Sequence, residues 1–397
     1  MNRGIRYLAL SSLWLVPILF LTLAFVSEWT VFWNGVLVPS WKGPFMDLSS
    51  ISRAVEVQQH GGDPLVSFAT DVYQRPINYP RIWLHLFSGM HITRARTPLA
   101  GILFCVLYLI CISWLMVRAA NWQETLLLLV AGLSLAPWLA IERGNTDLVV
   151  FALLFFGVAS GNRYARPGTY FLGALLKLFP IVALGIDIVR RPAKERTGPA
   201  VFLGLAVALL AWQWRDLIVI RRGTPVSTYL SYGLLSLKAQ ASYLSAGLLA
   251  ASCITALGIL IVVWLSRPNF DDAVLRSKSS ELFLVFGGIY AFTFAIGSNW
   301  NYRLIFLLPT LPFAMELVRT KNHARWAITY IAAVLVAENS FGLGTYEGIP
   351  LGDVATFTLF VMMVVVFLPI AGRFLAEAGA HFLRPANAAL SNQKASL

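Results

Sequence analysis

Apolar residues gather along this chain in long blocks, and short loops rich in arginine and lysine separate them. A block of about twenty apolar residues is long enough to cross a bilayer as a helix. The pattern predicts spans at about Tyr7 to Val26, Pro98 to Val117 and Thr125 to Ile141, then a short one ending near Gly161. Further spans follow near Ala200 to Leu217, Tyr243 to Leu265, Leu282 to Gly297, Leu304 to Val318, Trp326 to Phe341 and Val354 to Phe374. The first run follows Arg3 and Arg6, and no small-residue cleavage site ends it, so it reads as a retained helix rather than a signal peptide.

One interval interrupts the apolar pattern early. From Asp47 to Trp83 the chain is polar for longer than anywhere else. Leu48, Ile51 and Val55 recur at helical spacing, with Ser52, Arg53, Glu56 and Gln59 on the other side. Asp47 stands where an N-cap is expected, and Gly61-Gly62 where the segment should end. A turn at Asp63-Pro64 leads to Tyr73-Gln74-Arg75-Pro76 and Asn78-Tyr79-Pro80-Arg81. Such a segment is too polar to cross a bilayer and suits the interface.

Charge orients the spans. Loop cations mark the cytoplasmic ends by the positive-inside rule, which places residues 27–97 outside as a large first loop. The rule conflicts with simple alternation once, at Gly168 to Val189. Arg163 and Arg166 precede that segment, and Arg190, Arg191, Lys194 and Arg196 follow it. Lys177 and Pro180 interrupt its middle. A re-entrant hairpin with Lys177 near the tip satisfies both facts, whereas one kinked span breaks the charge rule. The expected fold is therefore all-α: a polytopic transmembrane bundle of about 10–12 membrane segments, including one broken hairpin. It forms a single domain, 1–397, whose first extracytoplasmic loop carries short interfacial helices.

Composition agrees with this class. The chain is 58% hydrophobic and 13% charged, against about a quarter charged in soluble domains. The net charge of +12 lies in the loops between spans and reports orientation, so no nucleic-acid partner is expected. Cys105, Cys111 and Cys253 sit in apolar runs without metal-type spacing.

The candidate chemistry lies on the outer side. Asp47, Arg75, Tyr79, Arg81, His85, Glu142, Arg143, Asn145 and Asp147 fall there, as do Asn299, Asn301, Tyr302 and Arg303. A carboxylate among them can accept a hydroxyl proton as a general base. Arginine and lysine can hold a departing phosphate. Each also has a plainer reading: Asp47 as a cap, Asp147 as a first-turn residue, His85 as part of an interfacial helix. Lys177 at membrane depth needs a cavity or a partner, the plain partner being Asp187 about three turns along. The Trp residues read mostly as interface anchors.

The order of these elements resembles the GT-C class of polytopic glycosyltransferases, and within it glycosyltransferase family 87. The pieces are the first-loop aspartate in FMDLSS (Asp47), then GGDPL, INYPRIW, ERGNTDLVVFALL and ALLKLFPIVAL. Two departures are Arg81, where the family has a second proline, and Asn145 after Arg143-Gly144 rather than Gly-Gln. The resemblance implies transfer of a hexose, mannose first, from a polyprenyl-phosphate donor to a lipid-linked or glycan acceptor. It also implies inversion in one displacement, with Asp47 as base and no second carboxylate as nucleophile. The family's site maps onto Asp47 alone. The other outer residues named above and Lys177 are expected from their position to bind substrate, on the extracytoplasmic face of the cell (plasma or inner) membrane. The acidic residues are too scattered to define a metal site, so no metal or other cofactor is expected. A transporter or lipid flippase is the alternative, and an O-antigen-type polymerase or ligase a third reading.

Overall fold

The computed structural model describes residues 3–41, 43–66, 76–224, 227, 230–242, 245–268, 270, 272–275, 277–321, 323–340 and 351–394. Tyr73, Gln74, Arg75 and residues 341–350 lie outside the described residues. The all-α bundle expected from the apolar blocks is what forms. Among the described residues the strands are two dipeptides, β1 (Ser231–Tyr232) and β2 (Asn299–Trp300), paired antiparallel.

The chain enters through α1 (Arg3–Val26) and the short α2 (Trp29–Gly35), then reaches the first loop's helices α3 (Met46–Gln59) and α4 (Ile82–Gly89). Leu48, Ile51 and Val55 of α3 are buried as their spacing requires. Two details differ from the expectation. The residue before α3 is Phe45, in left-handed backbone at φ 52°, so Asp47 is a first-turn residue and not the N-cap. Ser52 is buried, where it accepts a hydrogen bond from Thr97 at 3.1 Å.

α5 (Thr97–Arg118) returns across the bundle. The span expected at 125–141 is two helices, α6 (Trp122–Gly132) and α7 (Leu135–Arg143), bent by 45°. Pro137 explains the break, because its ring crowds the carbonyl four residues back, at Leu133. Glu338 and Asn339 hold the bend from another helix: Ser134 donates to Glu338 Oε2 at 3.0 Å, and Leu135 N–H donates to Asn339 at 3.3 Å. Glu338 is fully buried there.

After α8 (Asp147–Ser160) come α9 (Ala165–Leu176) and α10 (Ile181–Arg190), separated by Lys177 to Pro180. Run straight, residues 166 and 187 would stand about 30 Å apart at 1.5 Å per residue. Instead Arg166 Nη1 lies 3.6 Å from Asp187 Oδ1, and Arg191 donates to the Arg163 carbonyl at 3.0 Å. The segment is a hairpin with Lys177 at its turn. Its two basic flanks meet at one end of the bundle, where Arg191 also pairs with Asp187 at 2.9 Å and Arg166 with Glu281.

α11 (Thr197–Trp212) follows, and the span expected to reach Leu217 ends at Trp212. There the chain turns by 72° into α12 (Trp214–Gly223), which has no buried residue and exposes Trp214, Arg221 and Arg222. α13 (Leu234–Ala241), the peripheral α14 (Ala246–Leu265), the single turn α15 (Asp272–Leu275) and α16 (Lys278–Ile296) come next. A 3₁₀ segment, Asn301–Thr310, leads into α17 (Leu311–Arg319), then α18 (Ala324–Ser340) and α19 (Leu351–Lys394).

Among the described residues, five helices are long and apolar enough to span a membrane, and the two bent pairs raise the number to seven. The protein is a multi-pass integral membrane protein. Between helices in lipid, close packing replaces the hydrophobic drive. α16 is the most enclosed span, and an aromatic ladder runs from it: Phe286 meets Phe151 of α8 at 5.4 Å and Phe306 at 6.1 Å. Phe306 meets Phe179, in the hairpin turn, at 5.2 Å. Gly157 lets α9 approach α8, since a Cβ there would fall 2.7 Å from the Tyr170 ring.

Candidate functional site

The stretch ERGNTD forms the site's frame. Gly144 closes α7 in left-handed backbone at φ 57°, and Asn145 N–H returns to the Ala140 carbonyl at 2.9 Å. Glycine suits that position because it carries no Cβ penalty there. It also leaves room, since a Cβ would lie 2.9 Å from Phe45 Cβ. The reversal starts α8 at once, so Glu142, Arg143, Asn145 and Asp147 project from two helix ends that face each other. Phe45 N–H donates to the Glu142 carbonyl at 3.2 Å, which fixes the start of α3 and hence Asp47 against this turn.

Six charged groups meet here, three acids (Asp47, Glu142, Asp147) and three bases (Arg143, Lys177, Arg303). Asp147 is fully buried; its Oδ1 lies 2.7 Å from Lys177 Nζ and its Oδ2 3.1 Å from Arg303 Nε. Glu142 is equally buried. Its Oε1 accepts from Ser40 at 2.6 Å and from Trp29 at 3.2 Å, and its Oε2 lies 3.1 Å from Arg143 Nε. Both carboxylates are thus closed off by neighbours. Asp47 differs, with a side chain 19% exposed and Oδ1 at 4.0 Å from Arg143 Nη1. Its other oxygen accepts a hydrogen bond from Asn145 Nδ2.

Lys177 sits buried at the hairpin turn, 3.3 Å from Asn145 Oδ1 and 5.3 Å from the centre of the Tyr79 ring. Its ionic partner is Asp147, not Asp187, which the basic flanks hold at the hairpin's other end. Arg303 donates to Asn299, lies 5.3 Å over Phe179, and is reached through the β1–β2 pair, which sets Tyr232 opposite Asn299. Asn301 is buried, its N–H donating to Leu230 at 2.9 Å. Tyr302 is buried with its ring stacked on Trp300 at 6.2 Å.

Arg143 lies between Trp41, 4.3 Å away, and Trp300, 5.5 Å away. Its Nη2 is buried without a hydrogen-bond partner among the described residues. An unsatisfied buried donor of this kind invites an acceptor. Neither tryptophan, nor Phe179, nor Ser40 was among the expected site residues, because aromatic and small residues in a membrane protein carry no distinguishing signal.

The cluster thus gathers Asp47, Tyr79, Glu142, Arg143, Asn145, Asp147, Lys177, Asn299, Tyr302 and Arg303, with Asn301 beside them. It does not gather Arg81 or His85. Arg81 bridges Asp63 at 3.1 Å and Asp216 of α12 at 2.8 Å, which ties the first loop to α12. That hydrogen bond holds the Asp63 carboxyl below its usual range. His85 is exposed, because α4 buries Trp83, Leu84 and Phe87 and turns it outward. Arg75 lies outside the described residues. Among the described residues no three His, Cys, Asp or Glu side chains gather as a metal site.

Compared with known proteins, the chain matches no family model and no curated protein sequence.

Proposed function

We propose that the protein is a membrane glycosyltransferase that moves a hexose, mannose first, from a polyprenyl-phosphate donor to a lipid-linked or glycan acceptor. The site faces the extracytoplasmic side of the cell membrane. The observation that carries this reading is the contrast among the three acids. Asp147 and Glu142 are neutralised and shut in, while Asp47 keeps access, has no cation closer than 4.0 Å among the described residues, and has in Arg143 a neighbour with a free donor.

In the reaction, Asp47 accepts the proton of an acceptor hydroxyl. The acceptor oxygen forms a bond to the anomeric carbon as the bond from that carbon to the phosphate oxygen breaks, and the electron pair leaves with the polyprenyl phosphate. One displacement inverts the centre. Arg143 offers Nη2 to the phosphate oxygens, where its fork geometry suits the growing negative charge. Trp41 and Trp300 supply flat apolar faces of the kind against which sugar rings pack.

The test is a membrane-fraction assay with radiolabelled polyprenyl-phosphate mannose, arabinose, galactose and glucose, one donor at a time. Label should pass from one of these donors into a larger product only in fractions containing the protein. No transfer from any of the four would overturn the reading and leave lipid translocation as the function to test.

A further inference from the structure

We propose that Asn145 is a positioning residue that orients the Asp47 carboxylate, acting through it and not on the substrate. This rests on the reading of Asp47 as the base. The geometry leaves the amide one orientation. Asp147 N–H donates to Asn145 Oδ1 at 2.8 Å, and Lys177 Nζ donates to the same oxygen at 3.3 Å. Two donors on one side fix the oxygen there. The amide NH₂ must then face the other way, and there it donates to Asp47 Oδ2.

The consequence for Asp47 is specific. Arg143 stands off at 4.0 Å, so among the described residues Asn145 is the hydrogen-bond donor to this carboxylate. Glu142, Lys177, Tyr79 and Tyr302 feel the Asp47 charge, from α7, the hairpin turn, the first loop and the 3₁₀ segment. None of them is a hydrogen-bond donor to it. With Oδ2 held by Asn145, Oδ1 is the oxygen left to take a proton. Asn145 is itself fully buried, and its amide nitrogen reaches the chemistry by way of Asp47. The hairpin turn, the start of α8 and the start of α3 are joined through this single amide.

Two substitutions separate this role from a plain role in holding the Asp147 N–H. Asn145→Asp keeps the oxygen that accepts from Asp147 N–H and Lys177, but it removes the donor. Asn145→Ala removes both. The full-length protein in native membranes is treated with a water-soluble carbodiimide and an amine, and labelling of Asp47 is read by peptide mass spectrometry. Turnover is measured in parallel with the labelled polyprenyl-phosphate donor.

Labelling should rise several-fold in both variants. kcat should fall about ten- to a hundredfold, the worth of a hydrogen bond to a charged group, with the donor KM nearly unchanged. Equal labelling in wild type and both variants overturns the proposal, whatever the activity. So does increased labelling with unchanged kcat, and so does normal turnover in Asn145→Asp alone, which would leave only the hydrogen bond to Asp147 N–H. Increased labelling in a protein that transfers no sugar even as wild type would uphold the Asn145–Asp47 link and refute the transferase reading instead.

Discussion

Replacing Lys177 by methionine keeps the length of the side chain and removes its charge. Asp147 is fully buried, with one oxygen on Lys177 at 2.7 Å and the other on Arg303 at 3.1 Å. Removing one partner of a buried ion pair typically costs about 3–5 kcal/mol, because a charge is left uncompensated in low dielectric. Arg303 remains, so the lower end of that range, about 3 kcal/mol, is expected. Adding Asp147→Asn removes the stranded charge and should recover much of the loss. The coupling between contacting groups is then about 1–3 kcal/mol. Recovery is incomplete, since Arg303 loses its own partner in the double variant. The assay is unfolding of purified protein in mixed micelles titrated with SDS, for wild type, both single variants and the double. A Lys177→Met protein within about 0.5 kcal/mol of wild type would refute the pairing. Rescue by Asp187→Asn instead of Asp147→Asn would refute it too, and would return Lys177 to the far end of the hairpin.

Three further outcomes follow from the geometry. Gly144→Ala puts a Cβ 2.9 Å from Phe45 Cβ in left-handed backbone; it should destabilise the protein by about 1–3 kcal/mol and lower transfer by displacing α3, and an unchanged melting temperature would contradict this. With exposed Cys253 replaced by alanine, cysteines at Asn162 and Ala193 should both resist an impermeant thiol reagent applied outside, and labelling of only one would contradict a hairpin with both flanks in the cytoplasm. The Arg81 bridge holds the Asp63 carboxyl below the ordinary 3.8, so its stabilisation is complete at neutral pH and fades as pH falls through that depressed value. Both side chains are more than a third exposed, 34% and 45%, which limits the effect to about 1 kcal/mol or less. Arg81→Met should speed hydrogen exchange in α12, and unaltered exchange there would argue against the bridge.

The apolar blocks gave away the helices because lipid demands about twenty apolar residues per crossing. They said little about axis direction. The bend at Ser134 depends on Glu338 and Asn339, some two hundred positions away in the chain, and the elbow after Trp212 lies inside a run that reads as one span. The hairpin was legible because charge and proline disagreed with simple alternation at the same place. ERGNTD stood out as a polar island between spans, and the structure folds it into the frame of the charge cluster. Its partners did not stand out. Lys177 meets Asp147 through tertiary packing, and spacing along the chain pointed to Asp187 instead. Arg81 was expected at the cluster because it falls in the first loop within INYPRIW, and its partner Asp216 lies far along the chain on α12. His85 was displaced by the apolar face of α4, which decides by burial where each neighbour points.

Asp47→Asn in the labelled-donor assay tests the account most directly. The substitution removes the carboxylate while keeping a first-turn side chain of the same shape, so folding should change by no more than about 1 kcal/mol. Loss of a general base typically lowers turnover about 10²–10⁴-fold. The account predicts a loss in that range, with expression and melting temperature near those of wild type. Full turnover by a well-folded Asp47→Asn protein would contradict it.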